Sequence, residues 1–423
     1  MRVLVLSQYF WPENFRINDL AAELVARGHQ VTVLTGWPNY PDGVVFAEYR
    51  TAPGLFAQYA GACVFRVPVI PRGKGSARLV FNYVSFVVSG LLLAPWKLRG
   101  RKFDVILVFQ ASPITSAIPA LLLRRLKRAP MLMWVLDLWP ETLSATGVVV
   151  SPRVLRWVGR MVAFIYRRCD RVLVQSRAFI ANVEKFGGNP AHIRYFPNWA
   201  EPVFRGLSDS LEYLSPAPEL APFAETFNIM FAGNIGEAQD FPAILDAAEQ
   251  LRDVQPNLRW LIVGDGRAAD MVRAEVKRRG LSDRFFLLGR HPIERMPAFF
   301  RGASAMLATL KRDPIFSMTI PGKLQSYLSA GVPLLGMLDG EGARVIEQSG
   351  AGFTAPAGDG ALLASAVRRM ILLPAKERAE MGKRGRDYCD REFDRGMLMT
   401  ALEEWMIELA AFRPAGALRR DIR

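Results

Sequence analysis

Residues 228–266 read NIMFAGNIGEAQDFPAILDAAEQLRDVQPNLRWLIVGDG, and this stretch decides the fold. Asn228–Ala232 and Leu258–Val263 are short apolar runs, each followed at once by a glycine turn, Gly233-Asn-Ile-Gly236 and Gly264-Asp-Gly266. Between them Asp240–Leu251 carries apolar residues at helical spacing. Strand, turn, helix and strand in that order make the unit of a parallel sheet covered on both faces. Glycines in such turns either let backbone amides approach a phosphate or merely allow tight packing. The run from Gly233 is Gly-x-x-Gly with no third glycine, so it is not the dinucleotide fingerprint. At Asp265 a plain turn residue competes with a ligand role.

The same alternation continues in both directions. Downstream, strands are expected at Phe285–Leu288, Ala305–Ala308 and Val332–Met337, with helices at Ala269–Arg279 and Lys323–Ser329. Upstream, strands are expected at Val3–Ser7, Gln30–Thr35, Cys63–Val67, Asp104–Phe109, Met131–Leu136, Arg171–Gln175 and Ile193–Phe196, with a helix at Asn14–Arg27 ended by Gly28. Residues 200–227 are rich in Pro, Ser and Glu and read as a linker. The expected architecture is α/β: two doubly wound, Rossmann-like domains facing across a cleft. Residues 1–205 form the first, 206–395 the second, and 396–423 a terminal helix and tail. In such sheets ligands bind beyond the carboxyl ends of the strands.

Charge separates the two halves. Residues 1–205 hold 26 Lys and Arg against 11 Asp and Glu, net +15, whereas 206–423 hold 28 against 29, net −1. Only the first half is built to meet something anionic. Three cysteines far apart exclude a disulfide framework and a cysteine zinc site, and point to reducing cytosol. With three histidines in all, no metal site is expected. The opening apolar run, 1–7, is too short for a signal peptide and reads as a buried strand. Leu79–Trp96 is apolar enough to concern a membrane, yet is flanked by cations on both sides, Arg72, Lys74 and Arg78 before and Lys97, Arg99, Arg101 and Lys102 after. A spanning helix should show a bias towards one side, so an element lying in an anionic membrane surface fits better, with a buried core helix as the alternative. Residues 121–128 and 153–171, where Trp157, Phe164 and Tyr166 alternate with arginines, favour the membrane surface. The cations are mixed with long apolar runs and form no recognised nucleic-acid module, so nucleic acid is not an expected partner.

The richest stretch is 311–342, KRDPIFSMTIPGKLQSYLSAGVPLLGMLDGEG. Lys323 falls in the first turn of a helix, where the dipole disfavours a cation, and this suggests an anion beside it. Lys311, Arg312 and Lys323 could converge on a diphosphate, with Ser317 and Thr319 as hydroxyl donors; solvated surface charge is the alternative. Glu341, within Gly340-Glu-Gly342, could hold sugar hydroxyls or be a turn residue. In the first half Asp137 and Glu141 follow an apolar strand. Asp137 is the best-placed carboxylate for accepting a proton or a hydroxyl hydrogen bond, or it is a helix cap. Glu13, Asn14, Arg16 and Asn18 follow the first strand, and Trp139 sits beside Asp137; these with Glu141 are the candidate acceptor contacts. Gly233, Asn234, Gly236, Gly264, Arg290 and Gln325 complete the donor side.

Six segments also occur in a telling order: Tyr9-Phe-Trp-Pro-Glu13, residues 27–35 (RGHQVTVLT), Phe196-Pro-Asn-Trp199, Gly233–Gly236, Val263-Gly-Asp-Gly266 and Pro321-Gly-Lys323 through Gly331-Val-Pro333. In these the chain resembles the family 4 glycosyltransferases, most of all the bacterial branch that includes L-fucosamine transferases of surface-polysaccharide assembly. The resemblance implies a GT-B fold, a nucleotide-sugar donor held mainly by the second domain and an acceptor held mainly by the first. It also implies retention at the anomeric carbon without metal or cofactor, and a helix around 398–411 that returns to the first domain. Two family glutamates, which contact the transferred sugar and the ribose, fall here on Met318 and Ser326, so Gln325 and Glu341 are the expected substitutes. The family's phosphate-binding Arg and Lys fall on Asn234 and Gln239, which shifts the cationic role to Lys323, with Lys311 and Arg312 in support.

The expected activity is transfer of a sugar from a nucleotide diphosphate sugar, UDP ahead of GDP, to a lipid-linked or glycan acceptor at the inner membrane face. Lys323 and Asp137 are the expected catalytic residues. A sugar epimerase on the same fold and a non-catalytic membrane-attached scaffold are the rival readings.

Overall fold

The computed structural model describes residues 1–73, 75–145, 147, 149, 151–204 and 214–411. Lys74, part of the expected linker (205–213) and the tail beyond 411 lie outside the described residues. The chain divides into two units, Met1–Phe196 together with Gly396 onwards, and Pro197–Arg395. The junction therefore falls at 196/197 rather than at 205. Helices of seven residues or more are numbered below in chain order.

The first unit is built on β1 (Arg2–Leu6), β2 (Gln30–Gly36), β3 (Gln58–Tyr59), β4 (Ala62–Val67), β5 (Val105–Gln110), β6 (Met131–Val135), β7 (Arg171–Val174) and β8 (Ile193–Tyr195). They form one sheet in the order β3-β4-β2-β1-β5-β6-β7-β8. All neighbours are parallel except β3 and β4, an antiparallel pair the sequence reading missed. The two residues of β3 leave no periodicity to read; the signal is the turn, where Ala60 (φ 46°) and Gly61 (φ 85°) are both left-handed. Strands β5 and β6 are buried along their whole length, as parallel strands covered on both faces must be.

Around this sheet lie α1 (Arg16–Ala26), α2 (Ser76–Lys97), α3 (Ala117–Lys127), α4 (Pro152–Tyr166) and α5 (Phe179–Lys185). Helix α2 docks through Asn82, Phe86, Gly90 and Ala94, one residue per turn of the helix. Gly90 is required there: a Cβ would come within 2.7 Å of the Pro119 ring of α3. The other face, Val80, Val84, Val88, Leu92 and Trp96, is exposed, so the apolar run is not a buried core helix. The terminal helix, α12 (Arg395–Ala411), packs on this unit. Leu398, Met399, Leu402 and Met406 are buried. Glu403 is bonded by Arg27 (3.1 Å) and His29 Nε2 (2.9 Å), and Arg171 meets Glu408 at 2.9 Å.

The second unit contains β9 (Phe227–Ala232), β10 (Leu258–Val263), β11 (Phe285–Gly289), β12 (Ala305–Thr309), β13 (Leu334–Met337) and β14 (Gly352–Ala355). The sheet runs β11-β10-β9-β12-β13-β14 and every pair is parallel. Strand β14 was not anticipated; it is short, half-buried and opens on a glycine. Its helices are α6 (Phe241–Leu251), α7 (Ala269–Arg278), α8 (Lys323–Ser329), α9 (Glu341–Ser349), α10 (Gly360–Leu372) and α11 (Ala375–Glu392). Residues such as Phe241, Leu245, Val272 and Val367 fill one side of the sheet. Leu324, Tyr327, Val345, Ile346 and Tyr388 fill the other. From β9 the chain works outwards to β11 and then returns to the far side of β9 as β12. That reversal places a topological switch point between β9 and β12, where open α/β sheets bind ligands at the carboxyl ends of their strands.

Candidate active site

In the second unit the loops at the carboxyl ends are fastened to one another. Gly233 N donates to Val263 O (2.9 Å), Ile235 N to Asp265 O (2.9 Å) and Gly264 N to Gly289 O (2.7 Å). A side chain at Gly264 (φ 146°) would collide with the Gly233 carbonyl, so this glycine serves close approach of two loops. Across the switch point Lys311 N donates to Ala238 O (2.8 Å), and Thr309 Oγ1 to Gln239 O (2.6 Å). Gly340 (φ 65°) lies against the Ser317 carbonyl, and Gly342 against Pro321.

Lys323 stands at the centre of this ring of loops. Helix α8 is braced on the end of β9 by the Tyr327 hydroxyl, which accepts from Ala232 N (2.9 Å) and donates to Ala232 O (2.8 Å). Lys323 is one turn earlier on the same helix face, so its stem runs over β9. Its Nζ is 3.6 Å from the centre of the Phe231 ring, and a Cβ on Gly233 would be 3.4 Å from it. This nitrogen is buried and has no hydrogen-bond partner. Burial alone draws the ammonium down to about 7. A cation–π contact offsets part of the lost hydration, but a buried ammonium with no counter-charge is otherwise a cost that folding does not recover.

Several of the remaining donor-side candidates bond within the fold instead. Gly236 N is taken by Gln239 Oε1 (3.1 Å), so the amides of Gly233, Ile235 and Gly236 are all committed internally. The Ser317 and Thr319 hydroxyls donate back to Pro314 O (2.8 Å) and Ile315 O (3.0 Å), the local bonding common for these residues. Gln325 is wholly buried, and its amide nitrogen faces the Gly322 and Pro321 carbonyls of its own helix start rather than a ligand space. Glu341 is bidentate with Arg344 (2.9 and 3.1 Å). Asn234, Arg290, Lys311 and Arg312 are exposed, and Arg312 lies 4.0 Å from Asp339. A carboxylate the sequence reading missed is Glu201, which accepts a hydrogen bond from the Ser326 hydroxyl. It stands beside one of the two positions where the family has glutamate, but is supplied from a distant segment.

In the first unit Asp137 is a hub rather than a cap. It accepts from the Thr142 hydroxyl, from Trp139 Nε1 (3.1 Å) and from Ser112, and Ser112 also meets Tyr83 of α2. Burial pushes its carboxyl up against these donors. Tyr83 and Ser112 were missed, Tyr83 being hidden within an apolar run. Glu13 and Asn18 are turned inwards. Asn18 joins Trp11 N (3.0 Å) to Glu13 O (2.7 Å). Glu13 accepts from Phe10 N (3.1 Å), Asn39 N (2.8 Å) and Tyr40 N (2.7 Å), tying the loop after β1 to the loop after β2. Asn14 is exposed and Arg16 half-buried. Glu141 lies 3.4 Å from Lys185. Among the described residues no three His, Cys, Asp or Glu side chains are grouped to hold a metal ion.

Two Rossmann-like domains, with their loops gathered at the carboxyl ends of parallel strands, define a GT-B protein. The chain belongs to the family 4 glycosyltransferases: residues 14–199 match the glycosyl transferase 4-like domain and 226–372 match glycosyl transferases group 1. It is 26% identical over 343 residues to WcaI of Escherichia coli (strain K12), assigned as a colanic acid biosynthesis glycosyl transferase, covering 78% of this chain and 82% of that protein. It is 28% identical over 290 residues to WbjE of Pseudomonas aeruginosa, assigned as a glycosyltransferase, covering 64% and 66%. In fold it is similar to Anabaena Alr3699/HepE, solved with UDP and glucose (TM-score 0.67, 16% identity, 96% of this chain and 99% of that one). It is also similar to WaaG, a glycosyltransferase involved in lipopolysaccharide biosynthesis (TM-score 0.65, 14% identity, 97% and 99%).

The inward turn of Glu13 has a measurable consequence. Burial pushes its carboxyl up to about 7, against the pull of three amides and Arg66. A carboxyl raised on folding adds stability that is complete below its unfolded value and is lost as pH rises through the folded one. Between about pH 4.5 and 7 the wild type should lose up to about 3 kcal/mol relative to Glu13→Gln. Urea unfolding of both proteins across that window checks this; parallel pH profiles would contradict it.

Proposed function

We propose that the protein transfers a sugar, with retention, from a UDP-sugar to a lipid-linked or glycan acceptor in surface-polysaccharide assembly. The observation that carries this reading is the buried, unpartnered Lys323 ammonium beside Gly233. The UDP found with HepE and the polysaccharide role assigned to WcaI support it. As the bond from the anomeric carbon to the terminal phosphate oxygen breaks, charge grows on the departing diphosphate. Lys323 neutralises it from a site already stripped of water, without need of a metal ion, and a donor of this kind is worth on the order of 100-fold or more in rate. The acceptor oxygen bonds to the anomeric carbon on the same face, and its proton passes to the departing phosphate. Asp137 orients the acceptor and is not the nucleophile. Glu201, held by Ser326, supplies the carboxylate on the ribose side that α8 itself lacks.

Lys323→Met keeps the apolar stem and removes the charge. It should lower turnover about 100-fold or more while leaving thermal stability unchanged or raised, because a buried unpaired charge goes with it. Near wild-type turnover would refute the assignment. A diphosphate beside the amine restores its affinity for a proton, so UDP should bind best below pH 7 and more weakly as pH rises. At about pH 8 the diphosphate is already fully ionised, so calorimetry in two buffers of different ionisation heat should show proton uptake by wild type and none by Lys323→Met. No uptake by wild type would contradict the role.

The protein is also proposed to act at the cytoplasmic membrane surface, attached rather than spanning. Helices α2, α3 and α4 pack in sequence. Their outer faces expose Leu92 (71%) and Trp96 (70%) on α2 and, among Arg153, Arg156 and Arg160, Trp157 (64%) on α4. Apolar anchors rimmed by cations suit anionic headgroups. Binding to phosphatidylglycerol vesicles should weaken with salt and fall strongly in a Trp96→Asp/Trp157→Asp variant. Equal binding to neutral vesicles, or by that variant, would contradict this.

A further inference from the structure

The first unit has a switch point of its own. From β1 the chain works outwards through β2 to β4 and β3, then returns to the far side of β1 as β5. Open α/β sheets bind ligands where neighbouring strands part in this way, beyond their carboxyl ends. Gln110 is the last residue of β5, and Gln8 follows β1. The two strands pair from Val3↔Val105 to Leu6↔Val108, and Gly36 N still donates to Gln8 O (3.2 Å). Continued by two residues, that register sets Gln8 opposite Gln110 on one face of the sheet.

Both side chains are buried there with polar atoms unused. Gln110 is wholly enclosed, and neither its Oε1 nor its Nε2 has a hydrogen-bond partner among the described residues, so either orientation of the amide is equally unsatisfied. Gln8 Nε2 donates to Asn82 Oδ1 of α2 (2.7 Å), but Gln8 Oε1 has no such partner. Thr115 Oγ1, in the turn that packs against β5, is buried and unpartnered in the same way. Folded proteins pair nearly all their buried polar groups, so orphans gathered at one switch point call for a ligand. Ala111, Ser112 and Thr115 are partly exposed, which leaves the cluster just beneath the loop surface. Asp137 adjoins it: Leu136 N donates to Gln110 O (3.0 Å), and Ser112 ties the loop after β5 to the Asp137 carboxylate.

The set of free atoms selects its partner. An anion would meet two amide oxygens that repel it, and a hydrocarbon would leave every one of these atoms unpaired. A hydroxyl both gives and accepts a hydrogen bond, so neighbouring hydroxyls on a sugar ring match the two ends of the Gln110 amide, Gln8 Oε1 and Thr115 Oγ1 together. We infer that the ends of β1 and β5 bind hydroxyls of a sugar already carried by the acceptor, with Gln110 and Gln8 as the recognising side chains. The inference rests on the acceptor-side reading of the first unit. It narrows the acceptor class: a bare lipid phosphate leaves the site unused, so an earlier sugar transfer must supply the substrate.

The test uses the full chain with saturating UDP and measures affinity for farnesyl diphosphate, free or carrying glucose, galactose or N-acetylglucosamine. At least one sugar-bearing compound should bind about tenfold or more tightly than farnesyl diphosphate itself. Gln110→Met keeps the length and removes the amide; it and, independently, Thr115→Val should erase most of that preference. UDP affinity should be unchanged, and thermal stability unchanged or raised, because an unpaired buried group is removed. A merely structural role would lower stability and leave the preference intact. No preference in the wild type, or one that survives in either folded variant, would overturn the inference, as would a crystal structure with the preferred compound in which only water meets Gln110. UDP binding is read separately, so its loss in the wild type would instead count against the proposed transfer.

Discussion

The second unit depends on one unsatisfied interaction, the Lys323 ammonium enclosed over Phe231 with no anion to meet it. A chain selected only for stability would leave that side chain in water or place an apolar one there, since uncompensated buried charge is among the most destabilising features a fold can hold. Its surroundings show how it is kept in place. Tyr327 clamps α8 to β9 through both polar groups of Ala232, while Gly233, Gly264 and Gly289 allow the adjoining loops to close around it. The strain is electrostatic rather than steric, and a ligand carrying negative charge relieves it. A group held desolvated before its partner arrives needs no reorganisation at the moment charge develops.

The first unit is organised differently. Its polar loops are closed by groups that look like ligand contacts in the sequence but serve the loops themselves, as with Glu13 and Asn18. What it leaves open to solvent is apolar: the outer face of α2, a groove beside it and the tryptophans of α2 and α4. The net charge of the first half, concentrated in arginines next to these surfaces, gives the apolar area an anionic complement to meet.

Much of this was legible in the residues, and the part that was not has a common cause. Strands such as β9 and β10 announce themselves because a largely apolar run closed by glycine has few other uses. Strands β3 and β14 were lost because two to four residues carry no period. Lys323 could be placed in a first helical turn, but its burial depends on Tyr327 reaching Ala232, a contact between residues 95 apart in sequence. Ser317 and Thr319 read as free donors, whereas their hydroxyls satisfy carbonyls one turn back. Glu13 read as a ligand residue because nothing local reveals that amides at 39 and 40 would lack another acceptor. Glu201 was invisible for the same reason, since it meets Ser326 across 125 residues.

The central claim is that Lys323 awaits a diphosphate. A crystal structure of the protein with UDP tests it most directly, through the distance from Lys323 Nζ to the nearest phosphate oxygen. A charge-assisted bond of about 2.7–2.9 Å is predicted. A bound diphosphate with Lys323 still packed on Phe231 and no phosphate oxygen within reach would contradict the account.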